Sequence, residues 1–164
     1  MKNDMWIQKA TPEDAGLLAA IIAEAYHTVA LEFGLTPDNC PKHPSNCTPD
    51  WITADLNRGV SYYLCFNQGK PIGCAALEQA DEKTTYLERL AVRPGFRHQG
   101  TGAGLVKFIV EKARICKAET LGVGIIDEQS VLKEWYKDLG FKITGTRKFD
   151  HLPFTVGFME LALR

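Results

Sequence analysis

The segment Arg97-His98-Gln99-Gly100-Thr101-Gly102 has the residue types of an anion-binding loop. It follows a predicted strand at 84–92 and runs into an amphipathic helix predicted over 103–117. The first N–H groups of a helix lack partners within the helix, and the helix dipole places partial positive charge beside them. Glycine leaves out the Cβ atom that would hold a phosphate away from the backbone. The pattern therefore predicts a phosphate site, and a helix start whose glycines serve only tight packing is the alternative.

Two other phosphate-binding loops are excluded by the spacing of the glycines. The dinucleotide fingerprint needs G-x-G-x-x-G, and the Walker loop needs G-x-x-x-x-G-K-S/T. Residues 100–105 read Gly-Thr-Gly-Ala-Gly-Leu, so the third glycine of the fingerprint is missing, and Gly-Lys-Ser/Thr occurs nowhere in the sequence.

Length and charge narrow the class of protein further. The sequence has 164 residues, which favours one globular domain over 1–164. Its formal net charge is −1, so it lacks the overall positive charge that would attract nucleic acids or anionic membranes. No apolar signal core opens the chain, and Leu17 to Ala23 is too short to span a bilayer, so we expect a cytoplasmic protein.

The cysteines predict no disulfide framework. There are five of them, an odd number for an intracellular chain. Cys65, Cys74 and Cys116 lie in apolar stretches, so we expect all three to be small core residues.

Periodicity and capping signals predict an α/β chain with a mixed sheet. Thr11 and Thr48, each followed by proline and acidic residues, begin two helices, and Asn67-Gln68-Gly69-Lys70 is a hairpin turn. The predicted strands are 5–10, 60–66, 71–79, 84–92, 121–126, 140–147 and 154–163, and the predicted helices are 11–33, 48–57, 103–117 and 130–139.

Two motifs and this order of elements resemble the GNAT family of N-acetyltransferases. One is R/Q-x-x-G-x-G/A after a strand that carries Leu90-Ala91-Val92, and the other is Y-x-x-x-G-F at 136–141. The order β-α-α-β-β-β-α-β-α-β-β extends the resemblance over nearly the whole chain. It implies a central mixed sheet flanked by helices, a splay between the fourth and fifth strands, and acetyl-CoA as donor.

The resemblance also assigns residues to the donor. The loop and helix start would wrap the pyrophosphate of coenzyme A through Arg97, His98, Gln99, Gly100, Thr101, Gly102 and Ala103. Backbone groups of Leu90, Ala91 and Val92 would pair with the pantetheine arm, and one N–H there would stabilise the oxyanion. Gln129 stands where the family often has a cofactor-binding Asn.

Acyl transfer to an amine requires proton removal, oxyanion stabilisation and a proton for the leaving thiolate. By resemblance, the Tyr136 hydroxyl is the general acid beside the sulfur; a phenol stays protonated at neutral pH. Glu88 is a carboxylate on an otherwise apolar strand, which is costly unless the group is functional or paired. We expect it to bind the amine and relay its proton; an ion pair with Arg89 or Arg93 is the alternative.

The acceptor side is the part that the motifs define least. In the family, the segment after the first helix shapes this pocket, and here it contains Cys40, His43 and Cys47. With His27 or His151 they could ligate zinc, but their spacing is not a standard zinc pattern, so we expect no metal. We expect His43 and His151 to contact a small amine.

The family leaves open an acyl-CoA-binding regulatory module without catalysis, or an enzyme acting on protein or tRNA. The final strands could pair across a homodimer.

Overall fold

The computed structural model of the chain describes residues 4–164. The strands are β1 (Met5–Lys9), β2 (Ser61–Asn67), β3 (Lys70–Gln79), β4 (Thr84–Val92), β5 (Thr120–Ile126), β6 (Lys142–Lys148) and β7 (Thr155–Ala162). The helices are α1 (Ala15–Phe33), α2 (Pro49–Asn57), α3 (Thr101–Ile115) and α4 (Ser130–Asp138). The predicted order of elements and the mixed sheet are confirmed.

The strands form one sheet in the order β1-β2-β3-β4-β5-β7-β6. Every neighbouring pair is antiparallel except β4 and β5. Gln68 and Gly69, with φ of 51° and 78°, make the tight turn between β2 and β3. Two successive positive φ angles suit the right-handed twist of the flanking strands, as the hairpin signal predicted.

The parallel pair is the feature that creates a site. Thr84, Thr85 and Tyr86 pair with Thr120, Leu121 and Gly122, and the pairing then ends. Residues 87–92 of β4 and 123–126 of β5 therefore diverge, and their facing backbone groups do not hydrogen-bond to each other. The predicted splay between the fourth and fifth strands is confirmed.

A β-bulge lies in β4 beside the splay. The register against β3 shifts between the pairs Cys74–Ala91 and Ala76–Glu88, so β4 carries an extra residue there. Arg89 has φ of 50°, an uncommon value for a residue with a side chain. A bulge turns neighbouring side chains in a new direction, and here the residue before it is Glu88.

Apolar side chains cover both faces of the sheet. On one face, Leu105 and Ile109 of α3 pack with Tyr136 and Phe141. On the other face, Leu18 and Ile22 of α1 pack with Ile52 of α2. The helical segment Pro12–Phe33 is long and apolar enough to cross a membrane by length and composition alone, a test that the core helix of a soluble protein also passes.

Two sequence predictions need correction. Helix α3 begins at Thr101, two residues before the predicted start, because Gly100 takes a left-handed φ of 83° and serves as its N-cap. Cys116 was expected in the core but is exposed, since it caps the C-terminus of α3. Cys65 and Cys74 are buried, as predicted.

Candidate active site

A cleft of about 1050 Å³ opens where β4 and β5 diverge. Its walls come from α1, the loop before α2, both diverging strands, the loop before α3, the start of α4 and the β6–β7 loop. Among the predicted site residues, those that line it are His43, Glu88, Leu90, Ala91, Val92, Arg97, His98, Gly100, Gly102, Ala103, Gln129 and Tyr136.

The loop before α3 presents a series of free amide groups. Within residues 4–164, Arg97 N–H donates to Pro94 and Gly104 N–H donates to Gly100, but none of the amides from 98 to 103 donates to a backbone carbonyl. Several of these residues line the cleft at the positive end of the α3 dipole. This arrangement binds anionic groups such as phosphates.

The glycines of the loop serve more than the approach of a phosphate. Gly100 is needed for its positive φ of 83°. A Cβ on Gly102 would lie 3.3 Å from Cζ2 of Trp135, so this glycine also lets α4 approach the start of α3. Trp135 is half-buried and lines the cleft. Gly102 therefore does serve tight packing, which was the alternative to a phosphate site. The free amides of the loop nevertheless keep an anion-binding geometry.

Three side chains of the loop are not directed at the predicted phosphate position. The guanidinium of Arg97 donates to the carbonyls of Ala25 at 2.7 Å and Val92 at 3.3 Å, and to the Thr28 hydroxyl at 3.1 Å. It therefore fastens the loop to α1. The buried Thr101 hydroxyl faces Met5 Sδ, 3.7 Å away, and Gln99 is not among the residues that line the cleft. These two residues could contribute backbone amides to a ligand.

Glu88 reaches solvent through the cleft and takes part in no ion pair within residues 4–164. The alternative partners are occupied elsewhere, because Arg89 pairs with Asp55 and Arg93 pairs with Glu24. Desolvation by the surrounding protein raises the pKa of Glu88, the charge of Glu78 raises it further, and Arg89 opposes both.

Two tyrosines that line the cleft are close enough to Glu88 for its charge to affect their pKa values. Tyr136 of α4 is buried, and its pKa is raised by desolvation first, then by Tyr26 and Glu88. Tyr26 of α1 has its pKa raised by desolvation and by the charges of Cys74 and Glu88. Both phenols therefore stay protonated at neutral pH and can donate hydrogen bonds into the cleft.

Side chains of α2 hold the bulge at Arg89 in place. The Arg89 guanidinium lies 3.6 Å from Asp55 Oδ2 and 5.2 Å from the centre of the Trp51 ring. Asp55 also accepts hydrogen bonds from Tyr62 Oη at 2.5 Å and Arg58 Nη2 at 3.0 Å. This network holds the residue next to Glu88 in place.

The two predicted acceptor histidines have different surroundings. His43 is buried against Tyr26, with ring centres 5.7 Å apart, and its Nδ1 lies 2.7 Å from Ser45 Oγ. Burial lowers the pKa of His43, which favours the neutral ring. His151 is exposed beside Phe149 and is not among the residues lining the cleft.

The zinc alternative has no assembled ligand set. Within residues 4–164, no three His, Cys, Asp or Glu side chains come together as metal ligands. Cys40 packs with Leu35 and Ile126, and Cys47 packs with the core beside α1.

Sequence comparison identifies the family. A profile of the acetyltransferase (GNAT) family matches residues 23–141, so the chain belongs to this family. Its relatives include GCN5-related N-acetyltransferase 6, chloroplastic, of Arabidopsis thaliana, which is 33% identical over 120 residues, 68% of this chain and 41% of that protein. The chain spans only 41%, 53% and 51% of the lengths of three such relatives.

Solved structures share the fold. The yncA protein of Salmonella typhimurium, solved with its cofactor acetyl-CoA, has a TM-score of 0.73 at 20% identity, with 99% of this chain and 95% of that chain covered. A GNAT family acetyltransferase from Elizabethkingia anophelis with acetyl-CoA bound has a TM-score of 0.71 at 20% identity, covering 98% and 99%. The GNAT fold predicted from the two motifs is confirmed.

Sequence reasoning missed several residues of the cleft, above all Tyr26, Glu32 and Phe154. Tyr26 and Glu32 lie on the same helix as Val29, with intervals of three residues, so their common face could have been read from the spacing. What the spacing could not give is that this face of α1 meets the splay.

Proposed function

We propose that the chain is an acetyl-CoA-dependent N-acetyltransferase that transfers the acetyl group directly to a primary amine in a ternary complex. The observation that carries the proposal is that one cleft contains both an anion-binding helix start and two unpaired strand edges. A row of free amides at the start of α3 meets the unpaired edges of β4 and β5, with Glu88 and Tyr136 beside the opening.

The chain's residues fit such a donor. The amides of 98–103 would hold the pyrophosphate, with Arg97 keeping the loop against α1. The open backbone groups of 90–92 would pair with the amides of the pantetheine arm, as an additional strand pairs with a sheet edge. Gln129, at the N-cap of α4, lines the same cleft and would add a side-chain hydrogen bond.

Each chemical requirement has a candidate group. The ionised Glu88 would accept the proton of the attacking ammonium, directly or through water, so that the amine nitrogen bonds to the thioester carbon. A backbone N–H at the end of β4 would stabilise the oxyanion, and the C–S bond would then break. Tyr136 would donate its proton to the departing sulfur, and the second proton of the attacking nitrogen would return to the Tyr136 phenolate through water, which yields coenzyme A and the acetylated amine.

The experiment that tests the donor is thermal unfolding with acetyl-CoA, with ATP and NAD as controls. A ligand at about 100 times its dissociation constant stabilises the folded state by about 2.7 kcal/mol. The proposal expects a clear rise in unfolding temperature for acetyl-CoA that neither nucleotide matches. An equal rise for all three ligands, or none for acetyl-CoA, would contradict it.

A further inference from the structure

One face of α1 forms a graded wall of the cleft. Tyr26, Val29 and Glu32 all line the cleft and are three residues apart, so they lie on the same side of the helix. Since a helix rises 1.5 Å per residue, Glu32 is about 9 Å along the axis from Tyr26. The wall thus passes from a phenol through an aliphatic side chain to a carboxylate.

A carboxylate lies near each end of this wall. At the inner end, Tyr26 is near enough to Glu88 for the carboxylate charge to raise its pKa. At the outer end, Glu32 is exposed. Neither glutamate takes part in an ion pair among residues 4–164. Each is therefore available to a positive group of a ligand.

Nearby cations do not neutralise these two glutamates by direct pairing. Arg89 is held by Asp55, and Arg97 is hydrogen-bonded to α1. Lys42 also lines the cleft, but within the described chain it has no carboxylate within 4.0 Å.

Between the two carboxylates the surface is apolar. Val29 packs in a cluster with Leu152 and Phe154 of the β6–β7 loop, and all three side chains line the cleft. An alkyl stem placed there would gain about 0.8 kcal/mol for each methylene that it buries. The whole cleft, about 1050 Å³, is at the upper limit of small-molecule sites and must also hold the donor arm. The volume that remains beside the donor arm suits a small acceptor.

We propose that the acceptor is a small aliphatic diamine, with its reacting nitrogen at Glu88, its stem against Val29 and Phe154, and its second ammonium at Glu32. A stem of about five or six methylenes matches the rise of about 9 Å along α1 from Tyr26, whose phenol senses the Glu88 charge, to Glu32. This assignment rests on the proposed acetyltransferase function, since it names the acceptor of that reaction.

The test compares amines that differ only in the second charge. Initial rates of coenzyme A release are measured with acetyl-CoA and either cadaverine or pentylamine, which have the same number of carbon atoms, and with phenethylamine as an aromatic monoamine. The expected kcat/KM is roughly fivefold to tenfold higher for cadaverine than for pentylamine at low ionic strength. The ratio should fall as salt is added.

Two matched variants assign the second ammonium. Glu32→Gln should bring the cadaverine-to-pentylamine ratio down to about two, the statistical factor for a molecule with two equivalent amines. Glu82→Gln, an exposed glutamate in the β3–β4 turn with no ion pair in the described chain, should keep the wild-type ratio. A Glu128→Gln variant checks the third carboxylate of the cleft, which accepts a hydrogen bond from the Thr155 amide at 3.5 Å.

The outcomes separate this inference from the proposed function. A wild-type cadaverine-to-pentylamine ratio of about two or less, a preference for phenethylamine, or loss of the ratio in Glu128→Gln instead of Glu32→Gln would overturn the assignment. If acetyl-CoA stabilises the protein but cadaverine is not acetylated, the diamine is wrong and the donor site stands. If acetyl-CoA does not stabilise the protein, the proposed function itself fails.

Discussion

Three glycines at the start of α3 should respond to alanine in three different ways. Gly104 has open space where a Cβ would lie, so Gly104→Ala should stabilise the helix by about 1 kcal/mol. Gly100→Ala forces a side chain into a left-handed conformation and should cost about 1–2 kcal/mol. Gly102→Ala gains helix propensity but places its Cβ 3.3 Å from the Trp135 ring, which must shift.

Stabilisation by acetyl-CoA should differ between Gly102→Ala and Gly104→Ala. For a chain of this size, about 2.7 kcal/mol from acetyl-CoA at 100 times its dissociation constant corresponds to a rise of about 5–11 °C. Gly104→Ala should keep that increment because residue 104 does not line the cleft. Gly102→Ala displaces Trp135, a wall of the cleft, and tenfold weaker binding would reduce the increment to about 1.4 kcal/mol, half the original value.

The assay is thermal unfolding of the three variants and the wild type, each with and without acetyl-CoA at one fixed concentration. The unliganded curves report the cost in stability, and the difference between paired curves reports binding. The reasoning is refuted if Gly102→Ala retains the full increment, or if Gly104→Ala loses as much of it as Gly102→Ala does.

Three further variants test the chemistry and the support beneath it. Tyr136→Phe should lower kcat about 100-fold or more while leaving stabilisation by acetyl-CoA intact, as stopped assays of coenzyme A release and unfolding curves would show. Asp55→Asn should cost about 3–5 kcal/mol in denaturant unfolding because it leaves Arg89 without its buried partner, whereas Glu119→Gln, in an exposed pair, should cost less than about 1 kcal/mol. Since desolvation and Glu78 raise the pKa of Glu88, kcat/KM should fall as pH falls through that raised pKa, and Glu88→Gln should remove this limb of the profile. A carboxyl whose pKa is raised on folding binds more protons in the folded state, so stability should decline as pH rises between the unfolded and folded pKa values, and this decline should be absent in Glu88→Gln.

The sequence predicted the elements well because their local signals agree. Thr11 begins the first helical segment with its amide donating to Asp14 Oδ2 at 2.8 Å, and Gly34 ends α1 with φ of 63°. The free amides of the loop before α3 were also predictable, since they depend on neighbouring residues at a helix start. The start of α3 was misjudged because Thr101 and Gly102 are weak helix formers that the cap at Gly100 nevertheless draws into the first turn.

The acceptor side depended on contacts between distant parts of the chain, which local patterns do not encode. Arg89 was weighed as a partner for Glu88, but the bulge in β4 sends its guanidinium to Asp55 on α2. Arg97 was assigned to the phosphate, yet its side chain reaches 72 positions back to the Ala25 carbonyl. The roles of Glu88, Tyr136, His43 and the donor loop remain predictions, and so do the acceptor, the dimer and the cytoplasmic location.

The most direct measurement of the central claim is the stoichiometry of acetyl transfer. Wild-type protein is incubated with acetyl-CoA, with and without a primary amine, and both coenzyme A and the acetylated amine are quantified by mass spectrometry. The account predicts equal amounts of the two products, formed only when the amine is present. Coenzyme A released without amine would indicate hydrolysis, and acetyl-CoA binding without transfer to any amine would indicate a non-catalytic acyl-CoA-binding module; either result would contradict the account.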